Sequence, residues 1–132
     1  MIEVEEAETA RLRLQGGTPT MASQLTEARF RSALDALSEC VQTCTACANE
    51  CIRGVDASMV ECARLCLDCA QVCATCVRLL AADSSVYRQY CGLCGEICEA
   101  CAAECGKFDI DHCRVCAEAC RRCAEECRKL AA

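Results

Sequence analysis

From Met21 onward one pattern repeats. Small or apolar residues return every three or four positions, separated by charged and polar ones. That spacing is the one-sided stripe of an amphipathic helix. Four such stretches can be drawn. The first runs from near Ser23 to Arg53, with Gly54 placed as a C-terminal stop. The second opens on Ser58-Met59-Val60-Glu61, a capping-box pattern, and continues to about Ala82. Asp83, Ser84 and Ser85 offer the N-cap of a third helix that runs to Gly106. Asp109 or Asp111 caps the fourth, which reaches the C-terminus. Short connections between long helices favour antiparallel neighbours. The pattern over residues 21–132 therefore predicts an all-α fold, an antiparallel up-down-up-down four-helix bundle. Residues 1–20 form an N-terminal arm, flexible or a packing strap, ending near the breaker cluster Gly16-Gly17-Thr18-Pro19.

The stripe itself is unusual, because cysteine occupies it. The first helix carries Cys40, Cys44, Cys47 and Cys51; the second Cys62, Cys66, Cys69, Cys73 and Cys76. The third carries Cys91, Cys94, Cys98, Cys101 and Cys105; the fourth Cys113, Cys116, Cys120, Cys123 and Cys127. Every step within a helix is three or four residues, so each set stays within roughly 80° of arc. This is the face that a bundle buries. Continued outward, the seams meet Phe30 and Leu37 before the first set and Leu80 after the second. Tyr87 precedes the third set and Leu130 follows the fourth.

Composition sharpens this. Nineteen of 132 residues are Cys, against the ~8–10% that already marks an unusual chain. The 54% hydrophobic fraction counts those cysteines. Val, Ile, Leu and Phe are too few for an ordinary core, and such a chain escapes disorder only if thiols fill its interior. Free Cys is a small hydrophobe and readily buried, so it suits that place. A net charge of −6 and four aromatic residues argue against a nucleic-acid partner. No segment approaches the ~18 apolar residues of a membrane span. The acidic start MIEVEEAETA lacks the basic and apolar regions of a secretory signal. A soluble, cytoplasmic protein is expected.

Four uses of a sulfur-lined core compete. Plain filler explains one or two thiols but not a whole seam. Disulfides stabilise small secreted domains, yet the count is odd and successive cysteines on one helix face are poorly placed to bond. Zinc or iron–sulfur clusters find Cys-x₂-Cys pairs here but no loops to fold around them, and the familiar cluster spacing is absent. Monovalent copper selects soft thiolates and accepts two or three ligands. Side chains three or four residues apart on a helix have Cβ atoms ≈ 5–6 Å apart, so their sulfurs can converge on one ion. The pairs Cys40/Cys44, Cys47/Cys51, Cys62/Cys66, Cys69/Cys73, Cys94/Cys98, Cys101/Cys105, Cys116/Cys120 and Cys123/Cys127 all have this spacing. Charge points the same way. Nineteen buried thiolates are intolerable without counterions. One Cu⁺ per S⁻ neutralises them, whereas one Zn²⁺ per four leaves a large negative charge. A loading near one Cu(I) per Cys follows, in the high teens to about 20. Without metal the buried thiols are expected to be protonated, so loading releases protons and affinity rises with pH.

Four helices with Cys-x₃-Cys and Cys-x₂-Cys stripes resemble the cytosolic branch of the bacterial copper storage proteins, over residues ~23–132. The resemblance implies a bundle, often tetrameric, that sequesters copper without catalysis. Its partners would be copper ions and a copper chaperone or efflux system. An exported branch carries a twin-arginine signal; here Arg121-Arg122 lies inside the last helix.

Up-down connectivity sorts the ends of the bundle. Cys51, Cys62, Cys105 and Cys113 fall at one end, Cys40, Cys76, Cys91 and Cys127 at the other. Phe30, Leu34, Leu37, Leu79, Leu80, Tyr87 and Leu130 close the second end. The first end carries the only His, His112, and Met59, one seam step before Cys62. Imidazole and thioether are both Cu(I) ligands, so this end is the candidate mouth. The competing readings are a solvated His112 and a Met59 that simply fills space. Most Asp, Glu and Arg belong to solvated faces. Gly92 and Gly95 let helices approach closely, and Tyr90 and Ile97 are candidates for an oligomer surface.

Overall fold

The structure is a computed structural model that describes residues 20–132. The arm reading of residues 1–19 lies outside the described residues. A short helix α1 (Met21–Leu25) leads through a 3₁₀ turn, Ala28–Phe30, into the first long helix, α2 (Arg31–Arg53). Helices α3 (Val60–Ala81), α4 (Tyr87–Cys105) and α5 (Asp111–Ala131) follow. The long helices pack in a closed ring, α2 on α3, α3 on α4, α4 on α5 and α5 on α2. This is the four-helix bundle that the stripes predict.

The seams are buried because no other arrangement hides an apolar stripe on every helix. Cysteine and alanine make up most of the core. Apart from Arg31, which is buried at the start of α2, the described charged residues stay outside the core, where Arg122 of α5 reaches Glu39 of α2 at 3.0 Å and Arg128 pairs with Glu99 of α4. Exposed pairs of this kind contribute little, about 0–1 kcal/mol each.

The helix ends correct several expectations. The first helix does not run unbroken from Ser23. Glu27 is extended (φ −54°, ψ 132°) and Thr26 turns its hydroxyl back onto the carbonyl of Ala22 at 2.8 Å, so α1 stops before Phe30. That break lets Phe30 turn inward and meet Tyr87 edge-on, centroids 5.0 Å apart. The expected capping box at Ser58 is replaced by Asp56, whose carboxylate accepts from the Ser58 N–H at 2.9 Å. Gly54 ends α2 without a left-handed backbone; Val55 takes it instead, at φ 51°. Val86, not Asp83, Ser84 or Ser85, precedes the first turn of α4, and Asp83 adopts φ 48° in the α3–α4 connection. Ile110 stands at the N-cap of α5, while Asp109 and Asp111 both pair with Arg114. Short connections force these choices, because the side chain that reaches an orphan N–H depends on the path of the turn.

Tyr90 and Ile97 are half-buried against the core rather than freely exposed. Gly95 of α4 is buried against α5, where an added methyl would meet Ala124 O and Cys127 Cβ at 3.7 Å. That is ordinary contact, so the glycine eases a close approach without being demanded by it.

Candidate metal centre

All nineteen cysteines lie on the four long helices, and all are buried and unpaired. Their sulfurs form a continuous interior network. Along a helix, Cys40–Cys44, Cys69–Cys73, Cys101–Cys105 and Cys116–Cys120 approach to 3.7, 3.9, 4.0 and 4.0 Å. Between helices the approach is just as close. Cys62–Cys105 is 3.4 Å, Cys44–Cys120 and Cys76–Cys91 are 3.5 Å, and Cys73–Cys94 is 3.7 Å. Spacing along the chain reveals the first set. The second depends on the axial offset between helices, which no single-helix pattern contains.

Four-sulfur groups recur along the axis. Cys47, Cys51, Cys62 and Cys113 have their sulfurs within 4.8 Å of one another. So do Cys47, Cys66, Cys105 and Cys116, and deeper in, Cys44, Cys101, Cys116 and Cys120. Cys40 joins Cys44, Cys69 and Cys120 in one group and Cys69, Cys73 and Cys98 in another. Cys123 lies 3.8 Å from Cys73, and Cys127 neighbours Cys123, Cys76, Cys91 and Cys94.

Cys40 therefore sits deeper than expected. It shares no layer with Cys76 and Cys91; its neighbours at 3.7–3.8 Å are Cys44, Cys69 and Cys120. Helix α2 has four cysteines where the others have five, and Leu37 holds its outermost seam place. The closed end is built from fully buried Phe30, Leu37 and Leu80, with Leu34 buried and Leu79, Tyr87 and Leu130 half-buried. Arg29 fastens it from outside: its guanidinium lies over Phe30 at 4.4 Å and binds Asp83 at 2.9 Å.

The opposite end differs. Cys51 and Cys47 are the only cysteines with residual exposure, 4% and 1%. His112 is half-buried, and its Nδ1 lies 3.2 Å from Cys47 Sγ and 3.6 Å from Cys113 Sγ. Met59 is 5% exposed and, with Cys51, lines a largely apolar cavity of about 440 Å³ between the ends of α2 and α3. Phe108 packs half-buried against the core just after Cys105. The sequence reading missed it; its place in a connection gave no periodic signal.

The thiols at this end differ in acidity. Burial holds Cys51 up to about 12, helped by the neighbouring Cys47 and Cys62 sulfurs. Burial also raises Cys62 and Cys113. Cys47 runs the other way, down to about 6, because hydrogen bonds from Cys105, Cys66 and His112 favour its thiolate. This end of the bundle thus offers one readily ionised sulfur, Cys47, among less acidic ones.

A helical bundle whose interior is a column of unpaired thiols is built for soft, thiophilic ions. A family model described as copper storage protein matches residues 26–132, and the chain belongs to that family. Copper storage protein 3 from Bacillus subtilis in its apo form is 41% identical, covering 78% of this chain and 99% of that one, with TM-score 0.73. The Cu(I)-bound BsCsp3 superimposes with TM-score 0.76 at 41% identity, over 79% and 99% of the two chains. A cytosolic copper storage protein from Streptomyces lividans is 33% identical, over 78% and 92% of the two chains, with TM-score 0.72. An uncharacterized cysteine-rich protein, YhjQ, of Bacillus subtilis is 42% identical over 80 residues, 60% of this chain and 74% of its own. Among the described residues no helix is long and apolar enough to cross a membrane.

Proposed function

We propose that this protein stores Cu(I) on its cysteine thiolates, in the high teens to about 20 ions per chain. One observation carries the reading: nineteen free, buried thiols share one interior, with neighbouring sulfurs 3.4–4.0 Å apart. At the ~2.3 Å of a metal–thiolate bond, an ion held by three coplanar sulfurs sets them ~4.0 Å apart. A few tenths of an ångström of expansion thus suffices. The Cu(I)-bound BsCsp3 of the same fold supports the choice of ion. Each Cu⁺ that replaces a thiol proton leaves the core neutral, which burial demands.

Copper enters between Met59 and His112, where Cys47 supplies the first thiolate. His112 and Met59 serve as transient ligands there and the nineteen cysteines as the store. The role is sequestration rather than catalysis, in the cytoplasm, as in the relative from Streptomyces lividans, with a copper chaperone or efflux system as exchange partner. Residues 21–132 make up the copper-binding domain, and a homo-oligomer, tetrameric by family resemblance, is its assembly.

The four-sulfur groups also suit tetrahedral Zn²⁺, which keeps a zinc reservoir as the second reading, beside an iron–sulfur electron-transfer protein. Anaerobic titration against a chromogenic Cu(I) chelator separates them. Saturation in the high teens is expected. Saturation at four or five ions, or visible absorption from an iron cluster, would replace the copper reading.

A further inference from the structure

The sulfur network contains closed triangles as well as chains of contacts. Cys40, Cys44 and Cys120 are mutually 3.7, 3.5 and 3.8 Å apart. Cys69, Cys73 and Cys98 are mutually 3.9, 3.6 and 3.6 Å apart. Cys66, Cys101 and Cys105 are mutually 3.7, 4.0 and 3.6 Å apart. The three triads share no residue, and each joins at least two helices.

From this we infer that the metal-free protein also binds trivalent arsenic, one As(III) in each triad. An ion held in the plane of three sulfurs at about 2.3 Å needs them ~4.0 Å apart. A centre with a lone pair stands above that plane, its bonds form a pyramid, and the sulfurs draw closer than in the planar case. Most edges of these triangles are already on the short side. Trivalent arsenic has this geometry and prefers soft sulfur donors.

The stoichiometry suits a buried site. Arsenous acid, As(OH)₃, meets three thiols; three As–O and three S–H bonds break, and three As–S bonds form. Each thiol proton leaves with a hydroxyl as water, so three waters are released. Arsenic stays trivalent and no sulfur is oxidised. A neutral molecule enters and a neutral trithiolate remains, so no counterion is required in the low-dielectric core. Because the triads exist before binding, little ordering cost is added. The inference rests on the triangles and not on copper storage, and either can fail alone.

The test is anaerobic titration of the reduced, metal-free full chain with sodium arsenite. Native mass spectrometry counts arsenic per chain, and a thiol reagent counts free cysteines after unfolding in acid. At least three As(III) per chain are expected, each removing three thiols, so at least nine in all. They should remain bound when dithiothreitol is added at a concentration equal to that of protein thiols. Fewer than three arsenic atoms, two thiols consumed per atom, or complete stripping by dithiothreitol would overturn the proposal. Parallel Cu(I) titration of the same preparation reads the copper capacity separately.

Discussion

The two ends of the bundle solve opposite problems with the same helices. At the Phe30 end the seams finish in carbon: Phe30, Leu37 and Leu80 are fully buried, and the Arg29–Asp83 ion pair ties the 3₁₀ turn to the α3–α4 connection. At the His112 end the seams finish in sulfur, with Cys51 the most exposed thiol and an imidazole 3.2 Å from Cys47. Stability therefore concentrates at the carbon end, and the proposed route of exchange runs through the sulfur end. One fold can hold a large cargo because the two demands are separated along its axis.

Emptying the carbon end should have the largest effect. Phe30→Ala removes a fully buried ring, and such truncations cost about 3–5 kcal/mol. Denaturant unfolding of the metal-free protein should register that loss, while the number of coppers bound stays the same. A fall in capacity equal to the fall in stability would mean that the ends are not separable.

Alkali should act next, and on the sulfur end. A thiol whose folded value is raised stays protonated when its unfolded counterpart has ionised. Its stabilising contribution is therefore complete below pH ~9 and declines by roughly 1.4 kcal/mol per pH unit until the folded value is reached. For Cys51 that window runs from 9.0 to about 12, with Cys62 and Cys113 shifted in the same direction. Cys47 has the opposite sign, adding stability as pH rises from about 6 towards 9 and losing it again as pH falls. Unfolding midpoints of the reduced apo protein should thus decline above pH 9. A flat profile there would mean that these thiols are solvated.

Smaller effects follow from the mouth and the clasp. Joint replacement of His112 by Ala and Met59 by Leu should slow copper loading or removal several-fold, with capacity almost unchanged. Stopped-flow transfer to and from a chelator reads this, and unchanged rates in both directions would place the mouth elsewhere. Arg29→Gln should cost least, about 1 kcal/mol, since an exposed ion pair and a surface cation–π contact are each modest. Apo circular dichroism should show a helical protein throughout, because neutral thiols fill space as small apolar groups.

Much of this was legible in the residues. Three- and four-residue steps placed all nineteen cysteines on the buried faces, and no cysteine departs from them. Periodicity specifies an angle about one helix axis, however, not how far that helix slides along its neighbour. Cys40 was accordingly assigned to the terminal layer, and the 3.4 Å approach of Cys62 to Cys105 had no signature. The turns were read least well, since Asp56 displaces Ser58 as a cap and Val55 takes the positive φ expected of glycine. Local competition among a few polar groups decides such points, and several residues satisfy the same pattern.

Several sulfurs are common property. Cys40, Cys44, Cys47, Cys69, Cys116 and Cys120 each belong to at least two of the four-membered groups. A guest bound at one group already touches ligands of the next, so it can advance by trading a single bond at a time, never stripped bare. The column is thus a ladder with shared rungs, and the depth of the store need not make its innermost places slow to fill.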